Sequence, residues 1–257
     1  MIKGKALVNG FLLLSALLAL AGCGGGSGGA NPSTPGQAQG AYAGTTSTGQ
    51  TFNAVILPND MLYAIYGSTS GNLFNVCGMA TGQGASNSGK YTATANDFNY
   101  CNGSVTVNNG QVTATYTAGS SINGSITENN KSVTFNGTAP KGSLYNYNAP
   151  ASPSAISGSW NGSLTDGESA TVNIDSLGNA SGSSSGGCSF TGTIKPDSSN
   201  KNFFNVSLTF GSSGCSVPNQ KVTGIAVNYL LSDGVTNQFL AGVSSGTSIG
   251  VVFAAQR

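Results

Sequence analysis

Histidine is absent from this 257-residue chain, and charge is scarce. Without histidine there is no Ser-His-Asp or Cys-His nucleophilic site, no usual zinc site and no imidazole base for work at neutral pH. Charged residues make up 7% of the chain, with a net charge of +1, which leaves no electrostatic footprint for nucleic acid or an anionic membrane surface. Long apolar runs are lacking as well. Phe11 to Ala21, broken only by Ser15, is about 11 residues, against the roughly 20 that a membrane-spanning helix needs. No stretch past residue 22 repeats with the 3.6-residue period of an amphipathic helix. The expectation is a chain with no cofactor, no metal site and no catalytic residues.

Pattern matches to active-site motifs do occur and lose their meaning in context. Gly242-Val-Ser244-Ser-Gly246 and Gly182-Ser-Ser184-Ser-Gly186 fit G-x-S-x-G, but that motif needs a strand-to-helix turn and a histidine. Gly24-Gly-Gly26-Ser-Gly-Gly29 fits G-x-G-x-x-G without the helix that a phosphate loop requires. Asp166 and Glu168 are the one close carboxylate pair, and acid/base work of the glycosidase type is the chemistry such a pair offers. Beside Gly167 they read better as a solvated hairpin end.

What fills the chain instead is Asn, Ser, Thr and 39 glycines, with apolar residues set at period two. FNVSLTF (204–210) puts Phe204, Val206, Leu208 and Phe210 on one face and Asn205, Ser207 and Thr209 on the other, the pattern of a half-buried strand. Similar runs occur at 51–57, 61–67, 132–138, 170–174, 224–231 and 249–255, punctuated by Pro-Asn-Asp at 58–60 and Ser-Asp-Gly at 232–234. VTVNNGQVTATYT (105–117) reads as two strands turning at Asn109-Gly110, a strong hairpin signal. The fold class predicted is all-β: two tandem antiparallel barrel-like or sandwich domains of about eight strands each.

The division in two comes from a weak repeat. Gly40-Ala-Tyr42-Ala-Gly44-Thr45 matches Gly158-Ser-Trp160-Asn-Gly162-Ser163, and two cysteines follow each opening. The first domain is read as 40–138, the second as 158–257, and 139–157, with Pro140, Pro150 and Pro153, as the linker between them. Tyr42 and Trp160 are expected to plug the start of each domain, and the linker tyrosines Tyr145 and Tyr147 to pack the junction. Cys77 and Cys101 stand 24 residues apart in one half, and Cys188 and Cys215 stand 27 apart in the other. Four cysteines allow three pairings, and only Cys77–Cys101 with Cys188–Cys215 keeps each domain self-contained.

The fifth cysteine has a different setting. Lys3 and Lys5 precede the apolar run, and Leu20-Ala21-Gly22-Cys23 resembles the lipobox of bacterial lipoproteins. The resemblance implies that residues 1–22 are a signal peptide, that cleavage follows Gly22, and that Cys23 carries the lipid. Two or more acyl chains there give the stable membrane anchoring that one cannot. Without Lys3 and Lys5, seven basic residues face eight acidic ones. Gly24, standing where an inner-membrane retention signal would place Asp, implies the outer membrane of the bacterial envelope. Residues 24–39 (GGGSGGANPSTPGQAQ) complete a tether spanning 23–39, with an r.m.s. reach of roughly 20–24 Å.

The two Gly-aromatic openings and the closing strand GVVFAAQR (250–257) are similar to the β-barrel domains of surface lipoproteins of the transferrin-binding protein B and factor H binding protein type. That resemblance implies binding through loops and carries no binding residue over. The function expected is therefore a non-catalytic binding or structural module, anchored in the membrane and presenting loops to a protein or glycan partner. The alternative is a carrier that encloses a small apolar ligand in one barrel.

Overall fold

The computed structural model describes residues 37–71, 73–246 and 248–257. Cys23, the signal segment and all but the last three residues of the tether lie outside the described residues. The described residues belong to one compact unit.

The chain is almost entirely β, as its alternation predicts, and both halves are closed barrels rather than sandwiches. The first consists of β1 (Gly40–Thr46), β2 (Thr51–Ile56), β3 (Met61–Ser70), β4 (Leu73–Asn87), β5 (Lys90–Asn99), β6 (Thr106–Thr117), β7 (Ser121–Glu128) and β8 (Lys131–Thr138). Every neighbour pair is antiparallel, and β8 closes on β1 through Ala43↔Thr138 and Gly44↔Gly137. After a single turn of helix, α1 (Pro153–Ile156), come β9 (Gly158–Leu164), β10 (Ser169–Ile174), β11 (Asn179–Ser184) and β12 (Ser189–Pro196). The second barrel is completed by β13 (Phe204–Phe210), β14 (Lys221–Leu230), β15 (Asn237–Ser245) and β16 (Ile249–Gln256). Here closure is by β16 on β9, with Phe253↔Leu164 and Ala255↔Gly162.

The repeated openings do the same job in both halves. Tyr42 and Trp160 are each 1% exposed and stand at the start of their barrels. Each ring donates a hydrogen bond to the carbonyl four residues upstream: Tyr42 Oη to Ala38 O at 2.9 Å and Trp160 Nε1 to Ile156 O at 2.7 Å. The aromatic body fills the barrel end while its polar tip satisfies the approaching backbone. Arg257 covers the second plug, its guanidinium 3.9 Å from the Trp160 ring centroid and bonded to the Ser157 and Ala155 carbonyls.

The hairpin expected at Asn109-Gly110 does not form. β6 runs unbroken through both residues, with Asn109 opposite Asn96 and Gly110 opposite Ala95. Gly110 is needed for a different reason than a turn. A Cβ there would lie 2.7 Å from Ile126 Cδ1, so the glycine makes room for a side chain of the adjacent strand.

The barrels share a third apolar cluster besides their own cores. Ile65, Met79 and Phe98, on the outer wall of the first, meet Ile225, Leu240 and Val252, on the outer wall of the second. Glycines in the second barrel receive the larger side chains of the first. A Cβ on Gly242 would lie 2.6 Å from Met79 Sδ, and one on Gly250 would run into the Phe98 ring. The linker closes this junction as its tyrosines were expected to do. Tyr145 and Tyr147 are each 7% exposed, Tyr145 Oη donates to the Asn202 carbonyl, and Tyr147 Oη donates to Ile56 O at 3.2 Å.

Candidate ligand-binding site

Alternation sends one face of each strand into the barrel, and in the second barrel that face leaves space. A cavity of about 440 Å³ lies inside it, within the range of small-molecule sites. Its floor is aromatic: Phe239 lines the cavity and stacks on Trp160 with centroids 5.1 Å apart, while Phe253 meets Phe239 edge-on at 6.2 Å. The walls are Val172, Ile194, Val206, Leu208, Val243 and Val251, with Phe190 and Phe210 paired edge to face at 6.4 Å. Ala241 is the small side chain of the wall beside them. The inward row of β13 is the one its alternation identified.

The mouth lies at the opposite end from Trp160 and is built from turns. Asp166 and Glu168, which strand geometry would have set on one face, sit at the β9–β10 turn, where Glu168 N donates to Asp166 Oδ1 at 3.1 Å and Gly167 has φ +90°. Both line the opening. Glu168 leans across to the next hairpin, its Oε2 accepting from Gly186 N at 3.1 Å. Ser184 also lines the cavity, and its buried Oγ has no hydrogen-bond partner. Such an orphaned hydroxyl carries a desolvation cost of about 1–3 kcal/mol that a polar ligand atom would remove.

Two further walls of the mouth come from loops held by the disulfides, which join Cys77 to Cys101 and Cys188 to Cys215. Cys77 is the extra residue where the β3–β4 register shifts, and it ties down the β5–β6 connection. From that connection Tyr100, Gly103 and Val105 reach the mouth of the other barrel. Tyr100 Oη donates to Gly250 O at 2.7 Å; burial first, and then the negative charge of Asp166, pushes its hydroxyl pKa above the usual value. Cys215 anchors the β13–β14 loop over the opening, where Gly214, Ser216 and Val217 line it. Val105, at 50% exposure, leaves an apolar lip.

The interior of the first barrel holds residues the sequence reading missed. Asp97 is 6% exposed and accepts a hydrogen bond from Tyr66 Oη at 2.6 Å. Burial raises its pKa against the pull of Tyr66 and Asn99. Burial and then the charge of Asp97 push Glu128 up to about 7. The signal was present in β5, where Tyr91, Ala93, Ala95 and Asp97 alternate and so set a carboxylate on the inner face.

Ser184 and Ser244, the central residues of the two G-x-S-x-G matches, both lie in strands. Among the described residues, no group of three or more His, Cys, Asp or Glu is placed to hold a metal ion, and no helix is long and apolar enough to cross a membrane.

No protein family matches the chain, and no curated protein matches it by sequence. Among solved structures, it is similar to isotype 1 transferrin binding protein B from serogroup B Neisseria meningitidis, at 12% identity and a TM-score of 0.26. The match covers 81% of this chain and 51% of that one, so the chain spans about half the length of that structure. At that identity and score the likeness assigns neither a ligand nor a residue, and the site rests on the geometry of its own second barrel.

Proposed function

We propose that this is a non-catalytic binding protein of the bacterial envelope, anchored in the outer membrane through a lipid on Cys23 at the end of the 23–39 tether, and that it carries a small apolar ligand in its second barrel. The observation that carries the reading is the cavity of about 440 Å³, floored by Phe239 and open at one end only to turns and loops. An enclosed ligand is favoured over loops presented to a protein or glycan, because the apolar volume lies inside the barrel. A non-catalytic role is supported by the absence of histidine from the sequence and by the turn that fixes Asp166 and Glu168 at the rim.

The chain's single tryptophan makes the test direct, since Trp160 lies beneath the cavity floor. Bromobenzene is titrated into the purified full chain and Trp160 emission is followed. Saturable quenching, weakened at least tenfold in affinity by Ala241→Phe with the thermal unfolding midpoint of that variant checked in parallel, is the expected result. Quenching that stays linear in bromobenzene, or that is the same in Ala241→Phe and in a second filling variant, Val243→Phe, would overturn the reading.

A further inference from the structure

The mouth of the cavity is chemically one-sided. Asp166 and Glu168 both line it, Ser184 offers an orphaned hydroxyl just inside, and among the described residues no lysine or arginine lines the cavity. Lys221, the basic residue at the mouth end of β14, stands opposite Thr209 on the outer face of the wall and is exposed. Lys195 and Lys201 flank the β12–β13 connection at the plugged end, and Arg257 covers Trp160 there. The carboxylates are also fixed from below. Asp166 caps its own turn, and Glu168 is held by the Gly186 amide, so neither needs a cation to order it.

Resting on the reading of the cavity as a ligand site, we infer that its ligand is an amphiphile with a cationic amine head: the apolar body lies against Phe239 and the barrel walls, and the ammonium sits between Asp166 and Glu168. The volume suits this division. A linear chain of about eight carbons occupies well under half of 440 Å³, leaving room for a branched or ring-bearing body. An ammonium is a compact donor of three hydrogen bonds, which matches two carboxylates and the Ser184 hydroxyl. A carboxylate head would instead meet like charge at the rim. Ion pairs at an exposed rim contribute about 0.2–1 kcal/mol each, so the pair of acids yields a selectivity of roughly twofold to thirtyfold rather than an absolute one.

Three probes of one length separate the head from the body: 8-bromooctylamine, 8-bromooctan-1-ol and 8-bromooctanoate, each with bromine at the tail that reaches the floor above Trp160. Quenching of Trp160 in the full chain at low salt should give the amine the lowest Kd, about tenfold below the alcohol, with the carboxylate weakest. Asp166→Asn with Glu168→Gln retains an acceptor oxygen at each turn position; it should bring the amine close to the alcohol's affinity, with a clearly smaller change for the alcohol. Raising ionic strength should narrow the gap in the same way. Equal affinities for all three probes, or tightest binding of the carboxylate, would overturn the cationic head while leaving the carrier reading intact. Failure of all three to quench, together with failure of bromobenzene, would overturn both.

Discussion

Phe98 offers a direct measure of how far the two barrels act as one body. It projects from the outer wall of the first barrel, is fully buried, and packs where Gly250 of β16 provides no side chain. Phe98→Ala empties that position, and β16 has nothing beside it to fill the space, so the loss should approach the usual range for a buried phenylalanine, about 3–5 kcal/mol. For a body of this size each kcal/mol lowers the midpoint by about 2–4 °C, which gives a fall of roughly 6–20 °C. Gly250→Ala attacks the same contact from the other side, because its methyl would run into the Phe98 ring and cost about 1–3 kcal/mol of overpacking. In the double variant the new methyl occupies part of the emptied space. The two losses should therefore fail to add, with a coupling of about 1–3 kcal/mol. Scanning calorimetry of the four proteins reads all of this. If Phe98→Ala costs less than about 1 kcal/mol, or if the two losses add, the interlocking of ring and glycine is refuted.

Two further outcomes are expected from the loops and the first barrel. Replacing Cys188 and Cys215 by serine should cost about 3–4 kcal/mol in denaturant titration, from the 27-residue separation they close, and should speed ligand release as the loop over the mouth is freed. Unchanged stability and unchanged release in stopped-flow quenching would remove that role. Glu128 has its pKa raised to about 7 in the fold, above its ordinary value of 4.5, so the folded chain holds a proton that the unfolded chain gives up. Its contribution is fully present below about pH 4.5 and is lost as pH rises through about 7. Glu128→Gln should flatten the fall of stability across that window, and an identical pH profile in the variant would contradict the placement of Glu128 beside Asp97.

Strand identity was readable because a closed barrel imposes strict in-and-out alternation, and β13 shows it residue by residue. The same rule explains the error at Asn109-Gly110. A turn signal and an inward glycine look alike in sequence, and only the approach of Ile126 from β7 tells them apart. The barrel junction left a trace that went unused. β14 and β16 are apolar at consecutive positions, as in Gly224-Ile-Ala-Val227 and Val251-Val-Phe-Ala-Ala255, which is how a strand reads when both of its faces are buried. The cavity left no such trace. It depends on which inward residues fall at the same height on eight different strands, and linear spacing does not carry that layering. Asp166 and Glu168 were visible as a pair and as a hairpin end, but their place over an opening came only with the closure of β16 on β9.

The chain enters both barrels from their plugged ends, at Gly40 beside Tyr42 and at Gly158 beside Trp160, and the mouth of the second lies at its far end, where β9 finishes at Leu164. A load applied through the residues before Gln37 thus reaches the body at the end where the backbone is bonded to a buried aromatic ring, as Ala38 is to Tyr42. Drag, thermal swinging or collision would pull on that pinned end and leave the loops around Asp166 and Glu168 unstrained.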